Sequence, residues 1–336
     1  MGALSLLAAL ETVRLAKPFR ISGHVFEDAE LLVVTLDDGT QQGRGEASGV
    51  YYLGDDGQHM LSEVERVCTS VEAGLTREQL RALLPPGGAR NALDCALWEL
   101  EARRMGTSAW KLAGVEQARP LVTTFTLGAD DPAVMAQGAR EFAHARSIKL
   151  KLTGDFEQDA ARVAAVRAAR PEVWLGVDAN QGYTIDLLDR LVAMLMEHGV
   201  QLLEQPLARG READLQGYRS QIPIAADESA LCLADVAGLV GRFDVVNIKL
   251  DKCGGLTEGL MMAEEARRLG LRVMVGNMVG TSLAMAPAFV LGQQCDVVDL
   301  DGPIFLIDDR EPGVAYADGL VWCGDEVWGS ADAVAG

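Results

Sequence analysis

From about residue 120 the chain alternates short apolar runs with Ala- and Leu-rich stretches of helical character. The runs are LVTTFTL (121–127), SIKLKL (147–152), VWLGVDA (173–179), QLLEQ (201–205), PIAADE (223–228), VVNIKL (245–250), RVMVGN (272–277) and VVDLD (297–301). Their starts never lie more than 28 residues apart. Eight strands separated by helices at that period predict an α/β chain with a parallel sheet. Closure into a (β/α)8-type barrel fits better than an open doubly wound sheet, because no nucleotide fingerprint accompanies the repeats. Gly43, Gly45 and Gly49 have the wrong spacing for one and read as a hairpin turn. Residues 1–116 have a mixed texture. LLVVTL (31–36) followed by Asp37-Asp38-Gly39 predicts a hairpin with QGRGEAS as its partner. Helices are predicted around 58–73 and 91–104, where Leu93, Ala96, Leu97 and Leu100 keep helical spacing. The mixed texture returns after about 305. The expected division is therefore an α+β domain over 1–116, joined by 305–336, and a barrel over 117–304.

Composition narrows the possibilities. Lys and Arg number 30 against 49 Asp and Glu, a net charge of −19, and 49% of residues are hydrophobic. A large core can be buried and disorder is excluded. There is no basic surplus for nucleic acid or an anionic membrane surface. No apolar run reaches the length that spans a bilayer. Six scattered cysteines without a CxxC pair argue against a disulfide scaffold or a structural zinc. MGALSLLAALE lacks the positive flank of a signal peptide and reads as a first strand. The expectation is a cytoplasmic protein.

In a barrel of this kind, polar residues at the C-terminal strand ends face one shared mouth. Those ends carry Lys149 and Lys151, Asp178 and Asn180, Glu204, Asp227 and Glu228, Lys249 and Asp251, and Asp299 and Asp301. Asp178, Glu204 and Asp227 come from successive strands and repel one another unless a cation lies between them. An all-oxygen set selects a hard divalent ion, Mg²⁺ or Mn²⁺. The alternative is that each carboxylate caps a helix or pairs with an arginine. Lys149 and Lys151 share one face of strand two, and Lys249 stands opposite on strand six. Opposed lysines beside a divalent ion suit proton abstraction next to a carboxylate, with cationic neighbours lowering the lysine pKa. Alternatively, the lysines only neutralise the acidic cluster.

KLK (149–151), VDANQGY (177–183), LLEQPL (202–207), ADES (226–229), NIKLDKCGGLTE (247–258) and VDLDGP (298–303) together resemble the enolase superfamily. The resemblance is to its muconate-lactonising subgroup, and RNALDCALWELEARR (90–104) resembles that subgroup's capping domain. It implies a modified TIM barrel, (β/α)7β, with an α+β capping domain built from the N-terminal region and the C-terminal tail. Asp299 and Asp301 resemble the dipeptide-epimerase signature, in which an acidic pair holds the substrate's α-ammonium. The implied activity is Mg²⁺-dependent epimerisation of a dipeptide next to its C-terminal carboxylate, through an enolate. In that carry-over Lys151 and Lys249 are the acid/base pair, and Lys149 assists the substrate carboxylate. Asp178, Glu204 and Asp227 bind Mg²⁺, and Thr124 lines the pocket. Asn180 and Asp251 orient lysines and metal ligands. In the Ala-Glu epimerases of the family a first-domain arginine contacts the glutamate side chain. The stretch SGHVFEDAE (22–30) has none and places Phe26 there, so an apolar or basic side chain is expected at the epimerised position. His24 and YYLGDDG (51–57) are further candidates for the rim. The competing enzyme readings are an N-succinylamino acid racemase and an o-succinylbenzoate synthase. A non-catalytic metal- and ligand-binding barrel is the reading from another class. The family habit implies a homo-oligomer.

Overall fold

The computed structural model describes residues 4–21 and 24–330, with side chains 20–24 left out. Ser22 and Gly23 lie outside the described residues, as does the side chain of His24. Near the N-terminus, β1 (Ser5–Ile21), β2 (His24–Asp37) and β3 (Gln42–Ala47) form an antiparallel sheet in that order. The expected hairpin is β2–β3, with Leu32 opposite Ala47 and Asp37 opposite Gln42. β1 is longer than its apolar start suggested and shifts register between Arg14 and Phe19. One face of the sheet packs on α1 (Gly57–Glu72), α2 (Arg77–Leu83) and α3 (Gly88–Arg104). The sequence reading missed α2. It is a single short amphipathic segment started by a Thr76/Gln79 capping box, too short to display a period.

A second sheet of eight parallel strands carries the barrel. Its order is β12-β11-β10-β9-β8-β7-β6-β5, that is, Val297–Val298, Arg272–Gly276, Val245–Lys249, Ile224–Ala226, Leu202–Glu204, Trp174–Asp178, Ser147–Lys151 and Thr124–Leu127. All eight apolar runs appear as barrel strands. LVTTFTL is divided, however, because β4 (Leu121–Val122) leaves the barrel to pair with β14 (Leu320–Trp322), which pairs with β13 (Ala315–Ala317). Among the described residues no main-chain ladder joins β5 to β12. Threonines close that seam instead: Thr124 Oγ1 donates to Val298 O at 2.9 Å, and Leu300 N donates to Thr123 Oγ1 at 2.9 Å. The barrel interior is stopped below by an apolar layer of Leu202, Ala225, Val245 and Met274, flanked by Trp174 and Val297. Polar side chains on the next level therefore face only the upper mouth.

The cap is tied down by buried polar contacts. Arg90, on α3, reaches Gly254 O at 3.2 Å and Glu258 at 2.8 Å, and Asp94 accepts from Thr257 N and Oγ1. From the tail, Arg310 bonds Glu46 on β3, and Trp328 Nε1 donates to Arg44 O. The tail thus touches both the first sheet and the barrel's lower side. No helix among the described residues is long and apolar enough to cross a membrane.

Candidate active site

Strand register assembles the site. Lys151 stands beside Asp178, and Asp178 beside Glu204, so one level of the ladder carries all three. On β10, Asn247 and Lys249 are two residues apart and share the inward face. Lys249 lies alongside Gly276 of β11, where a Cβ would come within 2.7 Å of the Asn247 side chain and 3.1 Å of the lysine's own Cε. Glycine there leaves room for the lysine to rise to the mouth.

Asp178, Glu204 and Asp227 are buried, and one oxygen from each lies within 4.8 Å of the others. Each is held by neighbours. Lys151 Nζ meets Asp178 Oδ2 at 2.6 Å, Lys149 Nζ meets Glu204 Oε2 at 3.4 Å, and Lys249 Nζ meets Asp227 Oδ2 at 2.8 Å. Asn247 Nδ2 donates to Glu204 Oε1 at 2.6 Å. In the ring order, β6 is second and β10 sixth, so Lys151 and Lys249 approach from opposite walls. The donors, all hard oxygens in a buried pocket, suit a small divalent cation.

Just past β12, Asp299 contacts Lys149, and Asp301 Oδ2 accepts from Thr126 N at 2.6 Å. Burial and the neighbouring Asp299 raise the Asp301 carboxyl above its ordinary range. Such a pair gains from an incoming cation. Glu204 is likewise raised by burial, with Asp178 and Asp227 adding to the effect and Lys149 opposing it. Asp227 moves the other way: burial is outweighed by Lys249 and by Lys252. Although burial pulls Lys249 down, Asp227 and Glu204 hold it well above its ordinary value, and Asp299 and Glu204 do the same for Lys149. The nearest charges to both are carboxylates, not cations.

Two placements depart from the sequence reading. Thr124, expected in the pocket, sits one layer deeper and spends its hydroxyl on the seam, while Thr126 lines the cavity. Asp251, expected to orient lysines and ligands, accepts instead from Ser48 N at 2.9 Å and Gly49 N at 3.3 Å, with Asn91 at 3.4 Å. It straps the cap loop to the barrel. Lys149, expected to assist a substrate carboxylate, lines the cavity and pairs with Asp299 and Glu204. Asn180 lines the cavity near Asp178, whose Oδ1 accepts the Asn180 N–H at 2.8 Å. Above the carboxylates the cavity is walled by Phe19, Phe26, Tyr51, Tyr52, Met278 and Phe305. Phe26 and Tyr51 meet edge to face at 5.3 Å, linking the first hairpin to the 51–57 stretch. Sequence reasoning missed Lys252 and Asn247. A lysine just past a strand end looks like surface, and only its full burial distinguishes it. Asn247 was legible in principle, two residues before Lys249 on the same face.

Residues 133–320 match the family described as Enolase C-terminal domain-like, and residues 5–114 match the Mandelate racemase / muconate lactonizing enzyme N-terminal domain. The chain is 38% identical to L-Ala-D/L-Glu epimerase of Escherichia coli K12, over 90% of this chain and 94% of that one. An enolase family member from Agrobacterium tumefaciens, described as homologous to dipeptide epimerases and holding sodium and L-Ala-L-Glu, superposes with a TM-score of 0.93. It is 42% identical, covering 97% of this chain and 100% of its own. A dipeptide epimerase from Methylococcus capsulatus, complexed with Mg and L-Arg-D-Lys, gives 0.90 at 30% identity, covering 96% and 97%.

Proposed function

The chain belongs to the mandelate racemase / muconate lactonizing enzyme family of the enolase superfamily, and from that premise we propose that it is a Mg²⁺-dependent dipeptide epimerase. The relatives named or crystallised as such support the reaction class. The observation that carries the reading to this chain is the pair Lys151 and Lys249, on opposite walls beside three buried carboxylates. In this reading residues 117–304 are the catalytic barrel, and residues 1–116 with 305–336 are its cap.

Asp178, Glu204 and Asp227 would hold Mg²⁺, which supplies electrophilic stabilisation for negative charge growing on the substrate carboxylate. Lys151 and Lys249 face the two sides of the substrate Cα. One removes the proton and the other returns one to the opposite face, giving the epimer through an enolate. Each lysine must first leave its carboxylate, Asp178 or Asp227. With Mg²⁺ held by the carboxylates, that hold would be weaker and each amine freer to act as the base. Asp299 and Asp301 take the substrate's ammonium. The aromatic cap excludes water while the proton is in transit.

For the side chain at the epimerised position, the supporting observation is the rim. Phe19, Phe26, Tyr51 and Phe305 supply apolar surface, and Asp28, Glu30 and Asp55 supply negative charge. The described cations lining the cavity are Lys149, Lys151 and Lys249. An apolar or basic side chain meets that rim better than an acidic one, although the two relatives nearest in identity above are named or crystallised with Ala-Glu. Free cysteines fit a reducing, cytoplasmic setting. The test is an L,L-dipeptide library incubated in deuterium oxide with Mg²⁺ and read by mass and chiral analysis. Epimerised, Cα-deuterated products are expected, strongest for apolar and basic C-terminal residues. Lys249→Ala exchanging as fast as the parent enzyme would sink the mechanism, and a preference for glutamate would sink the side-chain assignment.

A further inference from the structure

Lys252 has a side chain that is 0% exposed, and it is not among the residues lining the cavity. It sits on the short helical turn Leu250–Cys253 that follows β10. Its ammonium donates to Asp227 Oδ1 at 2.6 Å, to Asp227 O at 2.6 Å and to Asn247 O at 3.1 Å. Three donors thus find three acceptors, the condition under which a buried ammonium is tolerated. The turn itself is gripped from the cap. Ser48 and Gly49 donate to Asp251, and Arg90 bonds the carbonyls of Cys253 and Gly254. Lys252 has little freedom to follow any movement of its partner.

Asp227 therefore divides its two oxygens between two lysines. Oδ1 belongs to Lys252, deep in the protein, while Oδ2 faces Lys249, which lines the cavity. We infer that Lys252 is a positioning residue for Asp227: it pins one carboxylate oxygen and the main chain so that the other oxygen stays turned to the mouth. This rests on the reading that Asp178, Glu204 and Asp227 hold a divalent cation. Lys249 can then exchange its partner during the reaction while the aim of Asp227 does not change. The same ammonium bonds the carbonyl of Asn247, whose side chain holds Glu204, so two of the three carboxylates share one brace.

A positioning role and a merely neutralising role predict opposite signs. If Lys252 only offset negative charge, its removal would leave the carboxylates more negative and tighten their hold on a cation. If it aims Asp227, its removal leaves Oδ1 without its donor, so the carboxylate is free to rotate and its hold on a cation weakens. Outer partners of metal ligands typically carry a factor of about 10 to 100 in metal affinity. The experiment titrates MgCl2 by calorimetry, and MnCl2 by electron paramagnetic resonance, into the parent protein, Lys252→Gln and Lys252→Met, with thermal melts to verify folding. Weaker binding of both ions by about 10- to 100-fold in the folded variants is expected. Unchanged or tighter binding overturns the inference. A parent protein that binds neither ion overturns the underlying functional reading instead.

If neither variant folds, crystal structures of the parent protein with and without MgCl2 decide. Lys252 should keep Asp227 Oδ1 and O in both states while Lys249 changes partner. Departure of Lys252 from Oδ1 in the Mg²⁺ form refutes the role.

Discussion

Replacing Asp301 by Asn tests whether the acidic pair just past β12 reads a substrate ammonium. Asp301 Oδ2 already accepts from Thr126 N, so the substitution removes charge while leaving an oxygen to keep that contact. The loss at stake is one charge-assisted hydrogen bond from the ammonium to the remaining oxygen, worth about 1.5–3 kcal/mol. That corresponds to about 10- to 150-fold in kcat/KM. The assay is a cycle of two enzymes against two substrates, a free dipeptide and its N-acetyl form, which has no ammonium. The free dipeptide should lose the full factor on Asp301→Asn, and the acetylated one should change by less than about threefold or improve. Equal losses on both substrates would mean that Asp301 supports the seam through Thr126 rather than reading the amine, and the reasoning would be wrong. Because burial and Asp299 raise the Asp301 carboxyl, its accepting form is lost on acidification at a higher pH than usual. The parent enzyme's kcat/KM for free dipeptides should therefore rise across that titration, a limb absent from the variant.

Chelation with EDTA should abolish turnover, and Mg²⁺ should restore it. At about 100 times its Kd the ion should also stabilise the fold by about 2.7 kcal/mol, raising Tm, and an unmoved Tm would contradict binding at the carboxylates. Asp94, far from the mouth, is pushed up to about 6 by burial. Its folded pKa is raised, so its contribution is fully present below the unfolded value and lost as pH rises through about 6. The gap from an ordinary aspartate carboxyl corresponds to roughly 3 kcal/mol. Urea melts of Asp94→Asn should show its stability relative to the parent improving by that order between about pH 4 and about pH 8, and a constant difference would refute the assignment. At Gly45, on β3, a Cβ would sit 1.9 Å from Ala92 O of α3. Gly45→Ala should force strand and helix apart and cost about 1–3 kcal/mol, read as a lower Tm.

The eight barrel strands were legible because a parallel strand buried on both faces is a short apolar run, and each was bounded by polar residues at the mouth. The carboxylates and lysines were legible for the same reason, since a charge at a strand end such as Glu204 or Lys249 has no local excuse. What escaped depends on partners far along the chain. Asp251 looked like part of the lysine set because it follows Lys249 by two. Its actual partners are Ser48 and Gly49, some 200 residues earlier. Thr124 and Thr126 share a face of β5, and only the depth of the apolar layer decides which one reaches the cavity. The division of LVTTFTL was invisible because β14, the partner of β4, lies at the far end of the sequence.

The threonine seam bears on how this molecule can change. Everywhere else around the ring, a strand is bound to both neighbours by main-chain ladders. The segment bearing Asp299 and Asp301 instead meets the first strand through hydroxyls and a carboxylate. Its amides should lose protection in hydrogen exchange before those of β6–β10, because opening the joint breaks no ladder. The residues proposed to take the substrate's ammonium therefore sit at the joint most free to be rewritten. Lys151, Lys249, Asp178 and Glu204 stand on strands tied on both sides, and Asp227 directly follows another. Substitutions just past β12 can therefore alter the proposed ammonium site without loosening β6–β10.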